Sequence, residues 1–557
     1  MRKTVSSRII FCATILALSL AAPRFDVIAA PGVIRVPTDF TKIQEAINAA
    51  NSGDTILVDS GTYPGNIVVN KTLSIIGENR ESTIIDGLGN APAVNVTASN
   101  VVFEGFTVRN GAYGLYLHYS SGSTIANNAI IESTGDSGLL LDHSTNSVIA
   151  NNTVANNQEV GIYLYYSSGN TISHNNSTNN LVGLWLLYSN GNSVLSNNAS
   201  GNSYGLWLEF SGSNTLRDNK IANNIYNFGV HSATLTNFIQ DIDSSNKVNE
   251  KPIYYLVNQQ SQQIPSDAGY VAAVNSTNIT IRDLHLANNR EGVVLAYTNN
   301  SSVEGNIVSN SSEAAIHLHK SNGNTITNNS IGTARDGVLL DSSSSNVATN
   351  NTITECSEYG IWLVSSNGNT ISINNITDNW VGSMLTSSGG NIIQGNDLAR
   401  NDYGIWLISS SNNNIRHNNF NNTNQVRSRS GSVNLWDNGY SSGGNYWSNY
   451  AGVDLYWGSY QNKTGSDGIG DTPFVIDSNN QDKYPLMSPY EYWSNPIIGD
   501  INKDTMVNAI DLSQLAGAYG STPEKPNWHP NSDLNSDNLV NAQDLFSVGK
   551  NYGKTNQ

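Results

Sequence analysis

The chain has 557 residues, and its 44 acidic against 27 basic side chains leave a formal net charge of −17. Charged residues are only 13%, about half the usual share, and no long basic run occurs, which argues against a nucleic-acid partner. Hydrophobic residues at 38% are too many for a disordered chain, and Asn, Ser, Thr and Gly carry the polar remainder.

At the N-terminus, Arg2 and Lys3 precede a short apolar stretch from Ile9 to Ala22, with small residues at Ala21-Ala22 and Ala29-Ala30. This is the pattern of an export signal over 1–30, with its cleavage point open between the two small pairs. The stretch is short for a membrane span of ~20 residues, and a retained anchor is the alternative. Cys12 lies in this segment. Cys356 is then the one cysteine of the mature chain, which allows no intramolecular disulfide and no cysteine zinc site, and it reads as a small buried hydrophobe.

A repeat follows. Gly, aliphatic, variable, aliphatic occurs at Gly114, Gly138, Gly161, Gly183 and Gly205. It resumes at Gly292, Ala315, Gly337, Gly360, Gly382 and Gly404. The step is about 22–24 residues, within the range of solenoid repeats. A second motif keeps the step: Asn324-Thr-Ile, Asn346-Val-Ala, Asn369-Thr-Ile, Asn391-Ile-Ile. Alternating strands separated by Asn/Gly/Ser turns, with no helical periodicity, predict a parallel β-helix with one repeat per coil. Ile, Leu and Val face inward, and repeated Asn can stack into amide ladders between coils. The break from Gly229 to Gly292 predicts two or three irregular coils and a protruding loop over 246–267.

The opening Val36-Pro-Thr-Asp-Phe-Thr-Lys-Ile-Gln-Glu-Ala-Ile-Asn, with Gly53-Asp-Thr-Ile and Gly61-Thr-Tyr, resembles the start of pectin-lyase-like right-handed β-helices. In those a short amphipathic helix caps the first coil. The Gly-Ile-Trp-Leu and Asn-Thr-Ile coils resemble the NosD-type family, named for a periplasmic copper-binding protein. The resemblance spans 32–488 and speaks for fold rather than activity, because the shared residues are those that build coils. The expected fold is an all-β solenoid, a right-handed parallel β-helix over 31–488. Its non-repetitive, aromatic-rich stretch over 431–488 resembles the closing segment of archaeal NosD-like chains and covers the last coil's open edges.

After a linker at 489–498 the character changes. Asp500, Asn502, Asp504, Met506, Asn508 and Asp511 occupy positions 1, 3, 5, 7, 9 and 12 of a loop. Asp533, Asn535, Asp537, Leu539, Asn541 and Asp544 repeat that loop at the same internal spacing, and Tyr552-Gly553 repeats Tyr519-Gly520 at the same offset. Oxygen ligands at these positions, with position 7 giving its carbonyl, match an EF-hand calcium loop. The duplicated loop, Asp at position 12 and a helix after each loop resemble a type I dockerin over 499–557. That family implies two Ca²⁺ ions and docking to a cohesin on another protein. Position 6 departs from the EF-hand glycine: it is Thr505 in one loop and Asn538 in the other. A β-branched Thr tolerates the required turn poorly, so the first site is expected to bind more weakly.

Three further constellations have competing readings. The third positions of the repeat, among them Tyr163, Trp185, Trp207, Trp362 and Trp406, fall on one outward line. They form either a carbohydrate-binding stripe or a surface ladder of rings packed on one another. Arg290, Glu313, Arg335 and Glu358 alternate in charge from coil to coil, as an exposed ion-pair ladder or as the acid and base of a polysaccharide lyase or hydrolase. His317 and His319 share one strand face and could hold copper, though no third histidine sits at an obvious ligand position. The motifs of pectin methylesterases and polygalacturonases are missing, so no catalytic residue is assigned. The reading is a secreted or cell-surface, carbohydrate-associated β-helix, without catalysis, tethered by its dockerin. The alternatives are a polysaccharide-degrading lyase or hydrolase, or NosD-type copper handling.

Overall fold

A computed structural model describes residues 31–429, 431–490, 499, 501, 507–535 and 537–553. The expected export signal over 1–30 and nearly all of the expected linker lie outside these residues. The chain is a parallel β-helix. A first stack contains a ten-stranded sheet running from Val33–Val36 to Asp241–Ile242 and an eight-stranded sheet running from Ile67–Val69 to Tyr226–His231. A third line of strands runs from Gly61–Pro64 to Lys247–Val248. Register holds from coil to coil, so that Ile125, Ile149, Ile172, Val194 and Leu216 lie one above another, all fully buried.

The helix Ile43–Ala49 closes the open end of this stack. It buries Ile43, Ala46 and Ile47, and Gln44 imitates a neighbouring strand: its Oε1 accepts from the Val68 N–H at 2.7 Å and its Nε2 donates to the Val68 carbonyl at 3.3 Å. Lys71 donates to the carbonyls of Ile47, Asn48 and Ala50, satisfying the helix's C-terminal end.

Between the sheets the turns carry the expected ladders. The backbone N–H and side-chain amide of Asn152 both donate to Oδ1 of Asn175 at 3.0 Å, and Asn175 does the same to Asn197. The line continues through Asn219 to Asn246. A second-stack line runs Asn306, Asn329, Asn351, Asn374, Asn396, Asn418, Asn445. Inside the lines the residue before a ladder Asn takes positive φ, as Asn127 and Asn151 do; His174, Ser196 and Asp218 fill the same place, while the end members Asn246 and Asn445 follow residues without it. Buried turns become tolerable because each polar atom finds its partner one coil away.

The irregular stretch is not a protruding loop alone. Strands Lys247–Val248 and Lys251–Val257 pair antiparallel, Val248 opposite Lys251, around Asn249 and Glu250, both at positive φ. This is a two-residue type I′ hairpin, and it reverses the chain. A second stack starts there, with Ile253 beside Tyr270 and Val271 beside Val293. Residues 258–263 are surface turns of its first coil. Its seven-stranded sheet runs from Thr280–Arg282 to Asn414–Arg416, and two long strands, Ile307–His319 and Ser330–Asp341, join its other two faces. The far end is closed by Trp436 and Trp447, both buried. Trp447 stacks between Phe420 and Phe474, and its indole N–H donates to the buried Asp482 at 2.9 Å.

The C-terminal module packs helices Ala509–Ala518 and Ala542–Asn551 around Val507, Leu515, Ala518, Val540 and Val548.

Candidate functional site

The two stacks meet at a corner. The outward face of the first stack's last coils lies against the outward face of the second stack's first coils. Ala272, Val274, Val294 and Ala296 therefore belong to the first stack's core, while their strand neighbours Val271, Ala273, Val293 and Leu295 belong to the second. Two hydrogen bonds seal the contact: the Arg290 backbone N–H donates to the Phe228 carbonyl at 2.9 Å, and the Asn227 side-chain Nδ2 donates to the Asn288 carbonyl at 2.9 Å. Gly229 is required here, because a Cβ on it would sit 2.4 Å from Cβ of Arg290.

Charge is concentrated at this corner. Arg290, 6% exposed, lies over the Trp207 ring at 4.6 Å and pairs with Glu209 at 2.8 Å, Glu291 at 3.5 Å and Glu313 at 3.9 Å. Glu313 also pairs with Arg335, which pairs with Asp336 at 2.9 Å. The expected ladder thus exists from Arg290 through Glu313 to Arg335, but it is not exposed at its Arg290 end: the first stack covers it and adds Glu209. Glu291 is 1% exposed and its carboxylate accepts no hydrogen bond from the described residues; burial pushes its pKa up to about 8, against the pull of Arg290. Burial likewise brings His231, on the first stack, down to about 4 and His317, on the second, down to about 3.

The predicted aromatic line is split by the corner into two. Tyr163, Trp185 and Trp207 are successive partners on the first stack; Trp362 and Trp406 lie on the second, with Met384 between them. All five rings are half-buried. Tyr163 and Trp185 stack at 5.0 Å and cover one another's faces, Trp185 Nε1 donates to Glu209 at 3.1 Å, and Trp207 lies under Arg290. On the second stack the contacts are tilted or edge-on, Trp380 against Trp406 at 5.5 Å, with Arg427 over Trp406 at 4.2 Å.

A second aromatic line escaped the sequence reading. Tyr119, His143, Tyr166, Tyr188 and Phe210 stack one per coil at 4.8 to 5.2 Å, each at positive φ. Its signal was an aromatic residue before the ladder serine of each coil: Tyr119-Ser120, His143-Ser144, Tyr166-Ser167, Tyr188-Ser189, Phe210-Ser211.

Of the predicted calcium ligands, Asp500, Asn502, Asp504 and Met506 lie outside the described residues, as does Thr505. Asn508 caps its helix by accepting from the Ile510 N–H at 2.6 Å, and Asp511 accepts from the N–H groups of Asn508 at 2.8 Å and Ile501 at 2.6 Å. The second loop repeats this: Asn541 accepts from Gln543 at 2.7 Å, and Asp544 from Asn541 at 2.8 Å and Leu534 at 2.7 Å. Asp533 accepts from Asn538 at 2.8 Å and Asp537 from Leu539 at 2.9 Å, while Asn535 Nδ2 donates to Asp537 at 2.8 Å. Asn538 has φ +64°, the left-handed turn expected at position 6. The loop gathers hard oxygen donors, the set that suits calcium.

Among the described residues no helix is long and apolar enough to cross a membrane. A curated relative, a cell surface glycoprotein of Methanothermus fervidus, is 39% identical over 94 residues; the match spans 16% of this chain and 16% of that protein. Solved structures with similar coils include the A-module of mannuronan C-5 epimerase AlgE6 from Azotobacter vinelandii. It is 14% identical over 70% of this chain and 91% of that one, with a TM-score of 0.23. The DFA-IIIase of Arthrobacter chlorophenolicus is 15% identical over 59% and 94%, with a TM-score of 0.30. Overlaps this low identify neither a shared overall shape nor a shared activity. The dockerin type I domain model matches residues 498–551. The model for the periplasmic copper-binding protein (NosD) matches twice, over 47–253 and 244–452, and the two matches meet at the hairpin where one stack gives way to the other. Matched along more than half of its length, the chain belongs to the NosD family.

Proposed function

We propose that this is an exported, carbohydrate-associated β-helix held by its dockerin to a cohesin-bearing partner, with two calcium ions organising the dockerin. The observation that carries the reading is the duplicated loop and helix, with the same Asn cap and the same buried Asp at the end of each loop. An extracellular setting is supported by the periplasmic family, by the dockerin and by the cell surface relative. For glycan contact the second stack is the better face, because Trp362 and Trp380 meet their ring neighbours tilted or edge-on rather than stacked face to face as Tyr163 and Trp185 are, while Arg427 lies over Trp406.

The test is capture of the full chain on an immobilised type I cohesin. Capture in calcium, release by chelator and loss in Asp533→Ala/Asp537→Ala are expected, because the gathered carboxylates repel one another without the ion. The Thr505 loop should bind calcium more weakly than the Asn538 loop, and Thr505→Gly should narrow the gap. Chain that ignores cohesin with and without calcium would overturn the tethering.

A further inference from the structure

We propose that His317, His319 and Asp341 form a binding site for one first-row divalent transition metal ion at the corner between the two stacks. His317 and His319 alternate with Ile316 and Leu318, which point into the second stack's core, so both imidazoles project outward. Asp341 is the register partner of His319 on the next coil. The donor atoms of the three side chains all lie within 4.8 Å of one another.

On an isolated β-helix this face would be wet. Here the first stack roofs it: Phe238 packs on His319 at 5.6 Å, the Ala233 carbonyl lies 3.3 Å from His319 Nε2, and the two imidazoles are only 6% and 4% exposed. His319 Nδ1 is 2.7 Å from Asp341 Oδ2. His317 Nε2, by contrast, is buried with no hydrogen-bond partner among the described residues. An orphaned buried nitrogen is a destabilising feature that a metal bond would remove.

Two imidazoles and one carboxylate, with coordination positions to spare, suit zinc, copper(II) or nickel rather than calcium or magnesium, which prefer all-oxygen sets. The orphaned nitrogen is the observation that fits this chain to the metal named in its family's description. The site is separate from the calcium loops and independent of the tethering reading.

The experiment is equilibrium dialysis of the full chain against zinc or copper(II) in excess calcium, so that the dockerin loops are occupied, with metal counted per chain. One equivalent is expected. Copper(II) bound there should show electron paramagnetic resonance couplings from two imidazole nitrogens. His317→Leu should stay folded, because it removes an unpartnered polar group, and should lose the equivalent. Asp341→Asn should weaken binding by about 10- to 100-fold, and His285→Ala, on an exposed strand position, should change nothing. No equivalent in the parent chain, or an equivalent that survives both His317→Leu and Asp341→Asn, would overturn the proposal.

Discussion

The body of each stack and the corner between them use the same residues in opposite ways. Along a stack, buried polarity is repeated and mostly paired: an interior ladder asparagine such as Asn175 gives two bonds to the next and takes two from the last. At the corner, buried polarity is dense and incompletely paired: among the described residues the Glu291 carboxylate, His317 Nε2 and the Tyr270 hydroxyl have no hydrogen-bond partner. The stack answers to repetition, since each coil presents its neighbour with an identical edge. The corner joins two outward faces whose residues had no repeat partner to satisfy them. Strain of this kind persists where surrounding structure enforces it, and such places are where ligands are held.

The largest effect should come from breaking the paired region. Asn175→Ala removes the acceptor of two Asn152 donors and the donor to the Ile149 carbonyl and to Asn197. A loss of about 3–5 kcal/mol is expected, read by denaturant unfolding. A loss under about 1 kcal/mol would mean that the ladders contribute little beyond the coils they join.

Next comes the pH dependence of the corner. Between the ordinary Glu value of 4.5 and about 8, the unfolded chain has released a proton that folded Glu291 keeps. Stability from this residue is full below 4.5, falls as pH rises through the window, and is level above it. His231 and His317, both lowered, work the other way: they cost stability as pH falls below 6.5. Glu291→Gln should therefore stabilise the chain at pH 8 by on the order of a few kcal/mol and leave pH 4 nearly unchanged. Equal effects at both values would mean that the corner does not hold Glu291 protonated.

A smaller change is expected from Glu313→Gln. It removes a carboxylate shared by Arg290 and Arg335, part-exposed on one side, and should cost about 1 kcal/mol with partial salt sensitivity. Smallest is Tyr188→Ala, which takes one exposed ring from the surface line between Tyr166 and Phe210 and should cost about 0.5 kcal/mol in thermal melts.

The coils were legible because their signal is local and repeated: Gly, two inward aliphatics and an Asn turn recur in most coils from Gly114 to Gly404. Glycine's role is also local, for a Cβ on Gly183 would stand 2.7 Å from the Gly205 carbonyl of the next coil. The reversal was hidden. A type I′ hairpin ordinarily announces itself as Asn-Gly, and here Glu250 holds the second left-handed position at φ +68°. Without the reversal, Trp207 and Trp362 read as one line, Arg290 reads as exposed, and His317 lacks the first stack that buries it. The dockerin repeat needed no such knowledge, since all the positions of each loop lie within one short stretch of chain.

One stack packs against the other at the corner, and the Arg290–Glu209 pair joins them across 2.8 Å. A double-mutant cycle with Arg290→Ala and Glu209→Ala, measured by denaturant unfolding at low and high salt, isolates that contact. The corner requires a coupling of about 1–3 kcal/mol that persists in about 1 M salt, because the pair is buried. A coupling near zero, or one that vanishes with salt, would mean the two stacks do not meet there.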